Sequence, residues 1–240
     1  SPIALLRVLT WQGADTWQQT WSTLARRVET SLARYMPPFS SLHVVQCFER
    51  LLMAHADKPV VHYANSMAVR MGCLYAQHYV YCNRGVNGIE GSLSTAAGQS
   101  LATDDDVFCV IGDLSFFYDH NALWNRHLRG NLRILLLNND GGAIFGKFAG
   151  LRASDAREPF VMGAHHTSAK GICAAYDVVY HAATSPVDCA ALLPVFIKQQ
   201  SRRPVLLEVF TNSETDACAY EDLFRQLTTM DDDRASTPQQ

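Results

Sequence analysis

Short apolar runs alternate with helical stretches along most of this chain, and that alternation limits the folds it can adopt. Pro59–Tyr63, Tyr79–Cys82, Val107–Ile111, Leu132–Leu137, Val178–His181 and Val205–Phe210 each have strand length and an apolar character. Helices are predicted between and around them: Leu42–Ala54, a short one near Met67, Ser92–Ala102, Asp119–Leu128, Ser168–Tyr176, Val187–Gln199 and a last one near Tyr220–Leu227. Ser185-Pro186 supplies a good N-cap and first-turn residue for the helix it precedes. Strands apolar on both sides, each separated from the next by a helix, belong to a parallel sheet buried between two helical layers. The expected class is therefore α/β, a parallel sheet with helices on both faces, without internal repeats.

The N-terminal segment reads differently. Ile3–Thr10 is strand-like, and Thr16–Tyr35 carries Trp17, Trp21, Leu24, Val28 and Leu32 near helical spacing. Met36-Pro37-Pro38 then stops the helix, because proline lacks an N–H and disfavours helix in the residue before it. A domain boundary is expected there. Residues 1–38 read as the end of a preceding middle domain and its linker, 39–230 as the main domain and 231–240 as a polar tail. The chain opens Ser1-Pro2 and runs straight into a strand-like segment, which suggests a cut inside a longer protein.

Charge excludes some roles. The net charge of −3 offers no electrostatic footprint for nucleic acid or a membrane surface. The longest apolar runs are far too short to span a bilayer. The seven cysteines are scattered without a CxxC pair, so they read as reduced thiols of a cytoplasmic protein.

The stretch from Gly112 to Gly142 carries the most chemistry. It runs strand, Gly112-Asp113-Leu114-Ser115, helix, strand, then Asn138-Asn139-Asp140-Gly141-Gly142. In an open parallel sheet, ligands bind beyond the carboxyl ends of the strands. Asp113 and Asn139 each follow a predicted strand, with one helical crossover between them. A carboxylate and an amide oxygen could thus face one point. Mg²⁺ favours such hard oxygen ligands and completes its octahedron with phosphate oxygens. Gly141-Gly142 allows a tight turn and lets a backbone carbonyl face the ion. Taken singly, Asp113 also reads as a helix N-cap, and Asn138-Asn139 as a turn.

Gly-Asp-x-Ser followed at this distance by Asn-Asn resembles the signature of thiamine-diphosphate enzymes. The resemblance implies the thiamine-diphosphate-binding fold. It makes Asp113, Asn139 and the Gly141 carbonyl the Mg²⁺ ligands, with Leu114, Ser115 and Ile144 beside the cofactor. Leu114 stands where the family often has Gly. Three further segments narrow the likeness: Tyr63 to Arg70, Asn83 to Gly91, and Asp119 to Leu123 together with Asn139 to Phe145. Over roughly Leu42 to Asn212 they resemble the synthases of menaquinone biosynthesis that join 2-oxoglutarate to isochorismate. Ala64 and Ala68 depart from the usual Gly and Pro.

That resemblance implies homodimeric or homotetrameric enzymes acting on poly-anionic substrates. Arg70 and Arg84 follow predicted strand ends, and by resemblance they hold substrate carboxylates, a task suited to a permanently charged, bidentate donor. Ser66 would add a hydrogen bond. Ile89 would be the apolar wedge that bends the cofactor, and Phe145 and Phe148 would line the substrate pocket. Gly85, Gly88 and Gly91 alone are weak evidence for a nucleotide loop, and His165-His166 lacks the spacing of a zinc motif. In this family the glutamate that activates the cofactor sits on a separate pyrimidine-binding domain. No segment here matches that domain, so the 240 residues alone are expected to be inactive. Two alternatives remain open: another thiamine-dependent decarboxylase or carboligase, and a non-catalytic domain retaining the fold.

Overall fold

The computed structural model describes residues 15–56, 58–86, 88–147 and 149–229. The expected strand Ile3–Thr10, the tail from Asp231 and Phe148 lie outside them. Two compact units are distinguished: residues up to Met36 together with those from Leu223 onward, and Pro37–Asp222. In the first unit, helix α1 (Asp15–Arg34) carries Trp17 and Trp21, whose rings lie 5.8 Å apart and are exposed.

The second unit holds the sheet. Its elements are α2 (Ser41–Met53), β1 (Val60–Tyr63), α3 (Met67–Tyr75), β2 (Val80–Tyr81), α4 (Ser92–Ala102), β3 (Val107–Gly112), α5 (Asp113–Asp119), a 3-10 segment (His120–Trp124) and β4 (Leu132–Asn138). After a short 3-10 stretch at Ala143–Lys147 and a helical turn follow a π-helical turn (Arg157–Val161), α6 (Lys170–Tyr176), β5 (Val179–Ala183), α7 (Pro186–Lys198), β6 (Val205–Phe210) and α8 (Ser213–Thr229), of which the residues up to Asp222 belong to this unit. The six strands lie in the order β2-β1-β3-β4-β6-β5, and every pairing is parallel. The chain crosses from one sheet half to the other as the order reverses, so helices cover both faces.

Both helical layers are packed on apolar strand residues. Val107 to Ile111 and Leu132 to Leu137 are buried along their whole length, Arg133 included. Phe48 of α2, Phe108 of β3 and Phe196 of α7 form one cluster, with ring centroids 5.7 to 6.5 Å apart. Such tilted and edge-on contacts suit the quadrupoles of aromatic rings. Burial pushes the Cys173 and Cys189 thiols up to about 12, so both act as small apolar groups.

One expected helix is displaced. The sequence places it at Asp119–Leu128, but the helix starts at Asp113, directly after β3, and gives way to the 3-10 segment at His120. The Asp119 carboxylate caps α4 instead, accepting from the Ser94 amide at 2.7 Å and from its hydroxyl. A carboxylate at a helix N-terminus satisfies orphan amides and complements the dipole. The terminal helix also begins earlier than expected, at Ser213, capped by the Asn212 side chain.

Buried charges tie the layers together. Arg133 is nearly fully buried within β4 and donates to the carbonyls of Phe196 and Gln199, both at 2.7 Å, at the C-terminal end of α7. It also lies 3.3 Å from Asp106. Glu49 of α2, only 2% exposed, accepts from the Tyr63 hydroxyl at 2.5 Å and from His78 Nε2 at 2.8 Å. Burial pushes the His78 imidazole down, but its bonds to Glu49 and to the Tyr79 carbonyl, with the Glu49 charge, outweigh this and leave it raised above 6.5.

A raised folded-state value means that this pair's stabilisation is complete below the unfolded value and is lost as pH rises through the folded one. His78→Gln should therefore cost more stability at pH values below 6.5 than in mildly alkaline buffer. Urea midpoints measured on both sides of that range test this, and equal losses at both would contradict it.

Candidate active site

A cavity of about 200 Å³ opens beyond the carboxyl ends of β1, β3 and β4. Gly112 closes β3 in an extended conformation, and Asp113 starts α5 immediately after it. Gly112 pairs with Leu137, so the ends of β3 and β4 lie side by side. This register sets the Asp113 carboxylate, 3% exposed, against the turn that follows β4.

The carboxylate organises that turn. One oxygen accepts from the Leu114 amide at 2.7 Å; the other accepts from the Asn139 amide at 3.1 Å and the Gly141 amide at 2.9 Å. His165 Nε2 stands 3.4 Å from the same oxygen. The Asp113 carboxylate beside it, with Asp140 and Glu208, raises the His165 imidazole against the opposing effect of burial. Asp140 adopts a left-handed conformation at φ 62°, and Gly141 lies at φ 146°. A Cβ at Gly141 would stand 3.0 Å from the Met162 carbonyl, so this position needs glycine for space as well as for φ.

The Asn139 side chain is polarised by its neighbours. Its Nδ2 donates to Asp216 at 2.6 Å, while its buried Oδ1 has no hydrogen-bond partner among the described residues. An oxygen left unpaired in such a place suits a cation. Asp216 itself accepts from the Ser41 amide and hydroxyl at 2.7 and 2.6 Å and from Thr211 at 3.1 Å. Burial raises its carboxyl above the usual value, opposed by these hydrogen bonds.

Nine of the expected residues line this cavity: Ser66, Ile89, Asp113, Leu114, Ser115, Asn139, Gly141, Ile144 and Phe145. Ser66 has φ 72° and ψ −129°, a strained backbone for a residue with a side chain. Such strain is held where the surroundings fix it, often at functional sites. Ile89 is anchored through its carbonyl, which accepts from the Ser115 hydroxyl. Arg70 is exposed on α3 and does not line the cavity. Arg84 is also exposed, but its guanidinium donates to Asn65 Oδ1 at 2.6 Å, and Asn65 is part of the cavity wall.

Residue-by-residue reasoning missed Ser41 and Asp216 and set His165 aside, because the His165-His166 pair lacks the spacing of a zinc motif. Asp216 follows the end of β6, at the same edge of the sheet as Asp113 and Asn139. Its signal was the cap Asn212-Ser213 directly after a strand, which marks a helix start beside the ligand edge.

Residues 63–209 match the family described as thiamine pyrophosphate enzyme, C-terminal TPP binding domain. The chain belongs to this family, and thiamine pyrophosphate is the cofactor otherwise called thiamine diphosphate. Its relatives include the 2-succinyl-5-enolpyruvyl-6-hydroxy-3-cyclohexene-1-carboxylate synthase of Bacteroides thetaiotaomicron, 44% identical over 74% of this chain and 33% of that protein. The enzyme of the same name from Bacteroides fragilis is 43% identical over 79% of this chain and 34% of its own length. The chain thus spans about a third of the length of these relatives. Among solved structures, benzoylformate decarboxylase from Polynucleobacter necessarius superimposes with a TM-score of 0.56, covering 72% of this chain and 33% of that one. At 15% identity that match speaks for the fold alone. Among the described residues no helix is long and apolar enough to cross a membrane.

Proposed function

We propose that this chain is the diphosphate- and Mg²⁺-binding part of a thiamine-diphosphate-dependent synthase, a carboligase-type transferase. The whole enzyme would decarboxylate 2-oxoglutarate and add the product to isochorismate in menaquinone biosynthesis. The observation that carries the metal assignment is the pair of neighbouring strand ends. They bring a buried carboxylate, Asp113, and a buried Asn139 amide oxygen without a partner among the described residues to one cavity wall. Among the described residues no cluster of three His, Cys, Asp or Glu side chains could hold a metal. Mg²⁺ takes few protein ligands and several from phosphate and water, which suits a carboxylate and an amide oxygen on one cavity wall. The Gly141 carbonyl already accepts from the Ala143 amide at 3.2 Å, and a carbonyl oxygen has a second lone pair for the ion.

The remaining roles follow from position and residue type. The cofactor, when bound, supplies the nucleophilic carbon that takes up the keto acid and holds the charge left after loss of carbon dioxide. Leu114, Ser115 and Ile144 would contact it, and Ile89, held by Ser115, would be the apolar wedge beneath its bend. Ser66 would donate to substrate, and Phe145, with Phe148 by resemblance to the family, would line the substrate pocket. Arg84, tied to the cavity wall through Asn65, would grip a substrate carboxylate at the mouth; Arg70 would serve a second carboxylate from α3. The same reading makes the enzyme a cytoplasmic homo-oligomer.

A chimera tests it. In the Bacteroides thetaiotaomicron synthase, the corresponding third is replaced by this chain, and isochorismate-dependent consumption of 2-oxoglutarate is followed. Turnover is the expected result. Arg84→Ala in the chimera should raise KM for a carboxylate substrate roughly ten- to a hundredfold, the size of one lost charge-assisted hydrogen bond. A chimera that binds cofactor but leaves 2-oxoglutarate untouched would overturn the synthase assignment.

A further inference from the structure

We infer that Asp216 is a positioning residue that fixes the orientation of the Asn139 side-chain amide and so decides that an oxygen, not an NH2 group, faces the metal. The inference rests on the Mg²⁺ reading above. A carboxamide has two nearly isosteric ends, and packing alone seldom distinguishes them. Here the distinction comes from hydrogen bonding. Every group around Asp216 is a donor: the Ser41 amide, the Ser41 hydroxyl and the Thr211 hydroxyl. An ionised carboxylate can only accept, and the Asn139 atom 2.6 Å from it is then the NH2. Flipping the amide would set an oxygen against a carboxylate oxygen and an NH2 toward the cation.

The anchor itself is rigid. Asp216 is 6% exposed, lies in the first turn of α8 and is held by the N-terminus of α2 through Ser41. Partners behind a metal ligand commonly contribute ten- to a hundredfold in metal affinity by orienting it. Neither α2 nor α8 supplies one of the proposed ligands, yet both converge on Asn139.

The test is a thermodynamic cycle on the 240-residue chain. Mg²⁺ affinity is measured calorimetrically in the presence of thiamine diphosphate for the wild type, Asp216→Ala, Asn139→Asp and the double variant, with folding checked by circular dichroism. Asp216→Ala should weaken Mg²⁺ binding by roughly ten- to a hundredfold. In the Asn139→Asp background both terminal atoms are oxygens and orientation no longer matters. Removing Asp216 there should cause no loss, and even a gain, since a neighbouring carboxylate disappears. Equal losses in both backgrounds would overturn the inference and leave Asp216 a purely structural residue.

A second measurement needs no Asp216 variant to fold. Hydrogen exchange of the Asn139 side-chain NH2, assigned by its loss in Asn139→Asp, should be slow in the wild-type chain, as expected of a buried amide held by a carboxylate. Exchange as fast as that of an exposed asparagine would contradict the orientation. Failure of the wild type to bind Mg²⁺ with thiamine diphosphate, alongside a protected NH2, would instead sink the metal reading and spare the Asp216–Asn139 contact.

Discussion

Asp113→Ala is expected to weaken Mg²⁺-dependent binding of thiamine diphosphate by roughly a hundredfold or more, above the range typical of residues that merely support a ligand. Two losses combine. The substitution removes the one charged side chain proposed to touch the ion. It also leaves the amides of Leu114, Asn139 and Gly141 without their acceptor, which loosens the turn carrying the other ligands. Asp113→Asn keeps the volume but not the charge and should fall between the two. Calorimetry on both variants, with circular dichroism as a check on folding, gives the answer. Unchanged affinity in the Ala variant would show that the ion is held elsewhere.

Glu208→Leu should produce the largest loss of stability, roughly 3–5 kcal/mol. Glu208 is 0% exposed on β6, one strand in from the edge of the sheet. Its carboxylate accepts from Asn138 Nδ2 at 2.8 Å, Ser168 Oγ at 2.7 Å, the Ala169 amide at 3.1 Å and the Tyr180 hydroxyl at 2.6 Å. Burial, with the neighbouring carboxylate, pushes the Tyr180 hydroxyl up to about 12, so it remains a donor. A leucine of similar size would strand the buried Asn138 and Ala169 donors and remove the acceptor of the half-buried Ser168 and Tyr180 hydroxyls. The melting temperature should drop by about 10 °C or more for a domain of this size. Because Asn138 precedes the proposed ligand Asn139, Mg²⁺ binding should weaken as well. A Leu variant as stable as the wild type would mean that these donors reach water.

Much of this fold is legible in the sequence because its strands are uniform. Val205–Phe210 lies where the apolar run places it, and Ser185-Pro186 caps α7 with the Ser185 side chain accepting from Asp188. The region after β3 is less legible. Phe116-Phe117-Tyr118 has weak helix propensity, so its helix is visible only once Asp113 is seen as its first residue. The site divides in the same way. Asp113 and Asn139 carry a recognisable spacing, and both line the cavity. The side chains that hold them do not, because their partners are distant in sequence: Ser41 meets Asp216 across the whole domain, and Asn138 meets Glu208 across the strand pair β4–β6. The lone acid inside Val205–Phe210 was the available hint of a buried hydrogen-bonded carboxylate.

The central claim is that Asp113 and Asn139 form a Mg²⁺–diphosphate site at the carboxyl edge of the sheet. Calorimetric titration of the chain with thiamine diphosphate, with Mg²⁺ and again with a chelator, tests it most directly. Saturable binding that requires Mg²⁺ is the predicted result. Binding of equal strength with and without the metal, or no binding in either case, would contradict it.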